Sequence, residues 1–117
     1  MRAVSPSRLR SDLFVASVLR LAGAKNAFAA LRRRGAPEAG AVFVKIDRLD
    51  GQAALFGPAA QSEVADDGMR RFRRLHKDEW ASPADVEARI GKEIAFDPDL
   101  WLVEIEDRQG RSFLELE

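Results

Sequence analysis

The sequence predicts an α+β fold in a single domain, residues 1–117: a largely antiparallel sheet of five or six strands with two amphipathic helices packed on one face. Three observations predict this class. Apolar residues recur at helical spacing in two segments, 12–22 and 82–96. Short β-forming stretches lie between and after these segments. Turn signals, of which Asp50-Gly51 is the clearest, join neighbouring strands into antiparallel pairs.

The first helix is predicted over residues 12–22, where a helical wheel gathers the apolar side chains into one broad arc opposite Asp12 and Arg20. We expect Ser11 to cap its N-terminus and Gly23 to end it. Leu13 alone falls in the polar sector of the wheel.

Three strands are predicted next, over residues 28–34, 41–46 and 52–56, and we expect them to form a consecutive meander. Turn-forming residues separate each pair. Residues 59–68 have no useful periodicity and predict a surface loop.

Residues 69–75 fit two interpretations. A strand places Arg70, Phe72 and Arg74 on one side, whereas a helix aligns Met69, Phe72 and His76. We prefer an edge strand, because so short an arginine-rich segment buries too little surface to hold a helix in place.

The second helix has strong start and stop signals. Ser82 is expected at the N-cap of this helix and Pro83 at its first position. Residues 97–99 are expected to end the helix. Residues 100–106 then alternate, so that Trp101 and its neighbours two and four positions on face the core. We expect a last short strand over residues 112–116.

Composition excludes several classes of site. The chain has no cysteine and a single histidine, so disulfides, thiolate metal sites and sites with two imidazoles are excluded. The apolar run that follows Arg10 resembles a secretory signal, but Asp12 and Arg20 interrupt it. No segment reaches the roughly 20 apolar residues that span a bilayer. We therefore expect a soluble, cytoplasmic protein that does not bind membranes.

The formal net charge of zero hides two opposite halves. Residues 1–77 carry 15 basic and 7 acidic residues, a net charge of +8, whereas residues 78–117 carry 4 and 12, a net charge of −8. The basic residues that we consider candidates for binding anions or nucleic acid are Arg32, Arg33, Arg34, Arg70, Arg71, Arg73 and Arg74. The candidate acidic interaction patch consists of Asp97, Asp99, Glu104, Glu106 and Asp107.

Two functional hypotheses follow from this layout. If both arginine clusters share one face, they can track a nucleic-acid backbone. Alternatively, complementary basic and acidic patches allow two copies to dock isologously, with Leu13, Phe56 or Trp80 as an apolar anchor. A third interpretation needs no partner, because the same arginines also fit solvated strand ends or ion pairs with the acidic half.

The search for catalytic chemistry is negative. The cluster of Asp97, Asp99, Glu104 and Glu106 lacks metal-binding spacing and fits a solvated turn and strand face. His76 has no serine in a nucleophile context. We assign no catalytic, metal-ligating or cofactor-binding residue.

Several stretches of the chain resemble a family of short bacterial proteins classified as domain of unknown function 1491: residues 8–15, 40–45, 49–51, 56–58, 93–101 and 103–107. The resemblance covers essentially the whole chain. It implies a stand-alone cytoplasmic protein and supplies no activity, ligand or catalytic residue. We therefore expect a non-enzymatic binding or protein-interaction module that forms a homodimer or binds another protein. A nucleic-acid-binding accessory protein is the alternative, and a small carboxylate- or metal-dependent enzyme ranks third.

Overall fold

Two helices and five strands make up the fold in the computed structural model, which describes residues 9–60 and 70–117. In chain order the elements are α1 (Ser11–Ala24), β1 (Phe28–Arg33), β2 (Val42–Asp47), β3 (Ala53–Pro58), β4 (Phe72–Arg74), α2 (Pro83–Phe96) and β5 (Trp101–Glu106). The strands form one sheet in the order β1-β5-β2-β3-β4. Among these five strands of the described residues, β2 and β5 pair in parallel and the other neighbours pair antiparallel. The predicted α+β class with a largely antiparallel sheet is confirmed.

The predicted meander is wrong, because β5 lies between β1 and β2. The reason is burial on both faces of the sheet. Leu102 is buried on one face of β5, and Trp101 and Val103 are buried on the other. A strand that is apolar on both faces belongs at the centre of a sheet. β1 is less buried and takes the edge.

The predicted placement of both helices on one face is also wrong. The side chains of α1 pack with Val44 and Val103, whereas those of α2 pack with Phe43 and Leu102. Successive residues of a strand point to opposite faces, so the two helices cover opposite sides of the sheet. Because β2 and β5 are apolar on both sides, each side needs its own cover.

Ser11 does not cap α1. Arg10 occupies the N-cap position, and Ser11 begins the helix with its side chain fully buried. The Ser11 hydroxyl donates a 2.6 Å hydrogen bond to the carbonyl oxygen of Gly40. This bond fixes the start of α1 to the turn that precedes β2.

The signals for α2 are confirmed. The helix begins at Pro83, and the Ser82 hydroxyl accepts a 3.1 Å hydrogen bond from the backbone N–H of Asp85. The β2–β3 hairpin and the core position of Trp101, which is 1% exposed, are also confirmed.

The edge strand β4 is confirmed over Phe72–Arg74, and Met69 lies outside the described residues together with positions 61–68 of the predicted loop. The predicted last strand over residues 112–116 is wrong. In this segment a single residue, Leu116, forms a β-bridge, which is parallel and joins it to Phe72. The backbone N–H of Phe72 donates to the carbonyl of Glu115, and the N–H of Glu117 donates to the carbonyl of Phe72. The C-terminal segment therefore pairs with the outer edge of β4 at Phe72.

Neither helix within residues 9–60 and 70–117 combines the length and the apolar character needed to cross a membrane.

Candidate interaction surfaces

The two arginine clusters lie at opposite edges of the sheet. Residues 32–34 belong to the end of β1, and residues 70–74 surround β4. Four inter-strand spacings of about 4.8 Å separate these edges by about 19 Å. The condition under which both clusters form one nucleic-acid track is therefore not met, and binding of nucleic acid by either cluster stays a prediction.

The arginines at β1 have intramolecular contacts. Arg32 forms ion pairs with Glu87 and Glu104. Arg33 Nη2 donates a 2.7 Å hydrogen bond to the carbonyl of Pro98, and the Arg34 guanidinium lies 5.3 Å from the centre of the Trp101 ring. Pairing with the acidic half, one of the interpretations of the sequence, thus holds for Arg32.

The arginines at β4 have different environments. The Arg74 guanidinium lies 4.8 Å from the centre of the Phe56 ring, and that of Arg70 lies 5.0 Å from the centre of the Phe14 ring. Arg71 lies 4.0 Å from a carboxylate oxygen of Glu115. Arg73 is exposed on this edge.

The predicted acidic patch is divided between the two ends of β5. Asp97 and Asp99 precede the strand, whereas Glu106 and Asp107 end it. Six residues of strand span about 20 Å. Glu104 faces α2 and is paired with Arg32. These five carboxylates therefore do not form one continuous surface.

Asp107 stabilises the turn after β5. Its buried carboxylate accepts hydrogen bonds from the backbone N–H of Arg111 at 2.8 Å and from Arg111 Nη2 at 2.9 Å. The hydrogen bonds from the Arg111 side chain lower the pKa of the Asp107 carboxyl most, and the bond from the Arg111 backbone lowers it further. Arg111 Nη2 also donates to the carbonyl of Lys25 at the end of α1. Asp107 and Arg111 therefore connect the turn after β5 to the end of α1.

An ion cluster on the α2 side of the sheet was not predicted. Lys45 Nζ lies 2.7 Å from Glu87 Oε2 and 3.6 Å from Glu104 Oε2, and Arg32 Nη1 lies 2.7 Å from the same Glu87 oxygen. The hydrogen bond from Arg32, followed by that from Lys45, lowers the pKa of Glu87 to about 2. The signal for this cluster in the sequence is Lys45, a charged residue within the apolar stretch of β2, and it was not used in the prediction.

The histidine is used for structure. His76 Nε2 accepts a 3.0 Å hydrogen bond from the backbone N–H of Leu55, and Nδ1 lies 2.7 Å from the carbonyl oxygen of Asp78. This pattern assigns the proton to Nδ1 and gives each ring nitrogen a backbone partner. Within the part of the chain that the structure describes, no three acidic or histidine side chains converge to hold a metal.

The predicted apolar anchors differ in exposure. Phe56 is only 2% exposed and is wrong as an anchor, Trp80 is half-buried, and Leu13 is 52% exposed. Sequence reasoning missed two more exposed aromatic residues, Phe28 at 63% and Phe96 at 89%. Phe28 begins β1, which places an exposed apolar ring at the sheet edge.

The outer edge of β1, which we call the β1 edge, differs from the edge at β4. β1 pairs with β5 on one side and is the last strand of the sheet. Among the described residues no backbone group pairs with its outer side, whereas residues 115–117 pair with the outer side of β4 at Phe72. The register shifts between Leu31 and Arg33, so the regular part of the edge covers residues 28–31.

Comparison with known proteins identifies the family. The model described as "Protein of unknown function (DUF1491)" matches residues 9–115. A crystal structure of a DUF1491 family protein from Caulobacter crescentus CB15 is similar with a TM-score of 0.78 and 37% identity, covering 94% of this chain and 98% of that one. A solution structure of a protein from A. tumefaciens has a TM-score of 0.79 and 38% identity, covering 93% and 94%.

No curated protein matches the chain. An NMR structure of a DUF1491 family protein from Caulobacter crescentus CB15 is similar with a TM-score of 0.77 and 39% identity, covering 94% of this chain and 97% of that one. The family match spans both helices and all five strands of the described residues. This chain belongs to the DUF1491 family.

Proposed function

We propose that this protein is a non-enzymatic interaction module that pairs with a second copy of itself along the β1 edge. The observation that carries the proposal is the difference between the two sheet edges. Unpaired N–H and C=O groups along a strand form a template for another strand. Within residues 9–60 and 70–117, the C-terminal segment pairs with the outer side of β4 at Phe72, whereas nothing pairs with the outer side of β1, so the β1 edge offers the longer template.

An antiparallel pair centred on Ala30 suits the sequence of this strand. Residues opposite each other in such a pair share one face of the sheet, so Phe28 lies beside Arg32 of the second copy, directly after the regular part of the edge. The exposed ring then packs on the aliphatic stem of that arginine. The small side chains of Ala29 and Ala30 allow the two strands to approach closely.

Charge favours the antiparallel arrangement over a parallel one. Arg32, Arg33 and Arg34 all lie at one end of β1, so an antiparallel pair keeps the two basic ends apart. The assembly is also closed, because β1 pairs with the same strand of the second copy, which makes the junction isologous. The proposal therefore gives a dimer and not a filament.

The junction is small, and this sets its strength. Two short strands and two phenylalanine rings bury less than the roughly 1,200 Å² of a standard stable interface. The shift at Leu31 and Arg33 limits the paired length further. We therefore propose a weak, concentration-dependent dimer.

The proposal also assigns the chain to the cytoplasm, with which its lack of cysteine is compatible.

Sedimentation equilibrium over a range of protein concentrations tests this proposal. The unchanged protein should shift from monomer to dimer as concentration rises. Phe28→Ser should weaken the dimer by well over tenfold, since it removes both aromatic contacts of the symmetric junction and each is worth about 1.4 kcal/mol. Phe96→Ser is the matched control, because it removes an even more exposed ring that lies outside β1.

The proposal is overturned if the unchanged protein stays monomeric at the highest concentration, or if the two serine variants weaken a dimer equally. Both rings are exposed, so neither variant is expected to disturb the fold.

A further inference from the structure

An apolar groove lies on the α1 side of the sheet, between α1 and the C-terminal segment. Phe14, Val18 and Leu21 of α1 form one wall, and Phe113 and Leu114 form the other. The groove has a volume of about 460 Å³, which lies within the roughly 300–1,000 Å³ of small-molecule sites. It shares no residue with the β1 edge.

Arg70 provides a cationic group in this apolar groove. Its Nη2 donates to the carbonyl of Leu9 at 2.8 Å and to the hydroxyl of Ser11 at 3.2 Å. Its Nε is buried without a hydrogen-bond partner, and within residues 9–60 and 70–117 no carboxylate pairs with the guanidinium. Burial lowers the pKa of Arg70, although an arginine stays charged.

The other polar groups of the groove do not compensate this charge. The hydroxyl of Ser17 donates to the carbonyl of Phe14. Glu115 lines the groove, but Arg71 lies 4.0 Å from its carboxylate. A partly buried cation without a carboxylate partner favours an anionic ligand, because a charge-assisted hydrogen bond offsets the cost of its desolvation.

We propose that this groove binds a small monocarboxylate with an aliphatic chain. The carboxylate pairs with Arg70, and the chain lies along the apolar walls formed by α1 and residues 113–114. A single guanidinium matches one carboxylate, and burial of each methylene of the chain adds roughly 0.8 kcal/mol. This site is independent of the dimer proposed above.

Calorimetric titration of the full chain with decanoate, kept below its micelle-forming concentration, tests the site. Butyrate and 1-decanol serve as probes that lack the long chain and the charge, respectively. We expect decanoate to bind the unchanged protein more tightly than either. Arg70→Gln should weaken decanoate binding by at least tenfold and leave 1-decanol binding unchanged.

Two further variants make the result specific. Arg73→Gln removes an exposed arginine from the same strand region and should leave decanoate binding unchanged. Leu21→Ser should weaken decanoate and 1-decanol alike, because it shortens the apolar wall without touching the charge. Circular dichroism confirms that each variant is folded.

The inference is overturned if decanoate does not bind the unchanged protein, or if Arg70→Gln binds it as tightly. It is also overturned if Leu21→Ser binds both probes normally, a result that remains informative should Arg70→Gln fail to fold. None of these outcomes bears on the β1 edge, so failure of this site and failure of the dimer are distinguishable.

Discussion

Lys45 of β2 and Glu87 of α2 connect the helix to the sheet: Nζ lies 2.7 Å from Oε2, although the lysine side chain is only 6% exposed. The position of Lys45 in a central strand places its charge beneath α2. Glu104 and Arg32 add a second carboxylate and a second cation. The cluster is balanced in charge, which is the condition for keeping a lysine inside a protein.

Glu87→Gln should reduce the dependence of stability on acid pH. Because the pKa of Glu87 is lowered to about 2 from an ordinary value of 4.5, its ionised form stabilises the fold above about pH 4.5. That stabilisation is lost as the pH falls towards 2. The effect is modest, about 1 kcal/mol, since the glutamate side chain is 41% exposed and solvent screens it.

Urea unfolding followed by tryptophan fluorescence between pH 7 and pH 3 measures this difference. Glu79→Gln is the control, because Glu79 is exposed and outside the cluster. Equal loss of stability on acidification in the unchanged protein and in Glu87→Gln would contradict the assigned role.

Gly35→Ala should destabilise the fold by about 1–3 kcal/mol, the usual range for overpacking. A Cβ at this position would collide with the carbonyl oxygen of Asp99 and lie 2.6 Å from the carbonyl carbon of Leu100. Both are backbone atoms, so they cannot rotate away. Thermal and urea unfolding measure the change.

Gly91→Ala provides the matched opposite result. A Cβ at Gly91 meets nothing within 4 Å, and the residue lies inside α2. Alanine there should stabilise the protein by about 0.5–1 kcal/mol. If both variants changed the free energy of unfolding in the same direction, this would contradict the close approach of Gly35 to the segment before β5.

His76→Ala should cost about 1–3 kcal/mol, because it leaves the N–H of the fully buried Leu55 without its acceptor. Lys77→Ala, a change at the exposed neighbour, should stay within about 0.5 kcal/mol. Equal stability of the two variants in urea unfolding would show that the hydrogen bond to Leu55 does not matter.

Local signals in the sequence predicted most elements and not their arrangement. The cap of α2 at Ser82 and the alternation around Trp101 depend on neighbouring residues, so they are visible in the sequence. The insertion of β5 beside β2 depends on contacts between distant segments. The second buried face of β5, marked by Leu102, was the signal for a central strand.

The same limit applies to the surfaces. The sequence shows that Arg32 and Arg74 belong to basic clusters, but only the strand order places them at opposite edges. The exposure of Phe28 follows from the edge position of β1, which the predicted meander also gives. The proposal that Phe28 lies at a dimer junction also depends on the pairing of residues 115–117 with Phe72 of β4. Local sequence pattern does not indicate this contact.

Disulfide trapping with Ala30→Cys tests the central claim most directly. The chain has no cysteine of its own, so a single thiol reports one position. In the pair centred on Ala30 the two Cα atoms lie about 4.5–5.5 Å apart, within the range that a disulfide bridges. Ala39→Cys, at an exposed site away from β1, is the control. Mild oxidation should convert Ala30→Cys rapidly to a covalent dimer and leave Ala39→Cys largely monomeric; equal rates for the two variants would contradict pairing at the β1 edge.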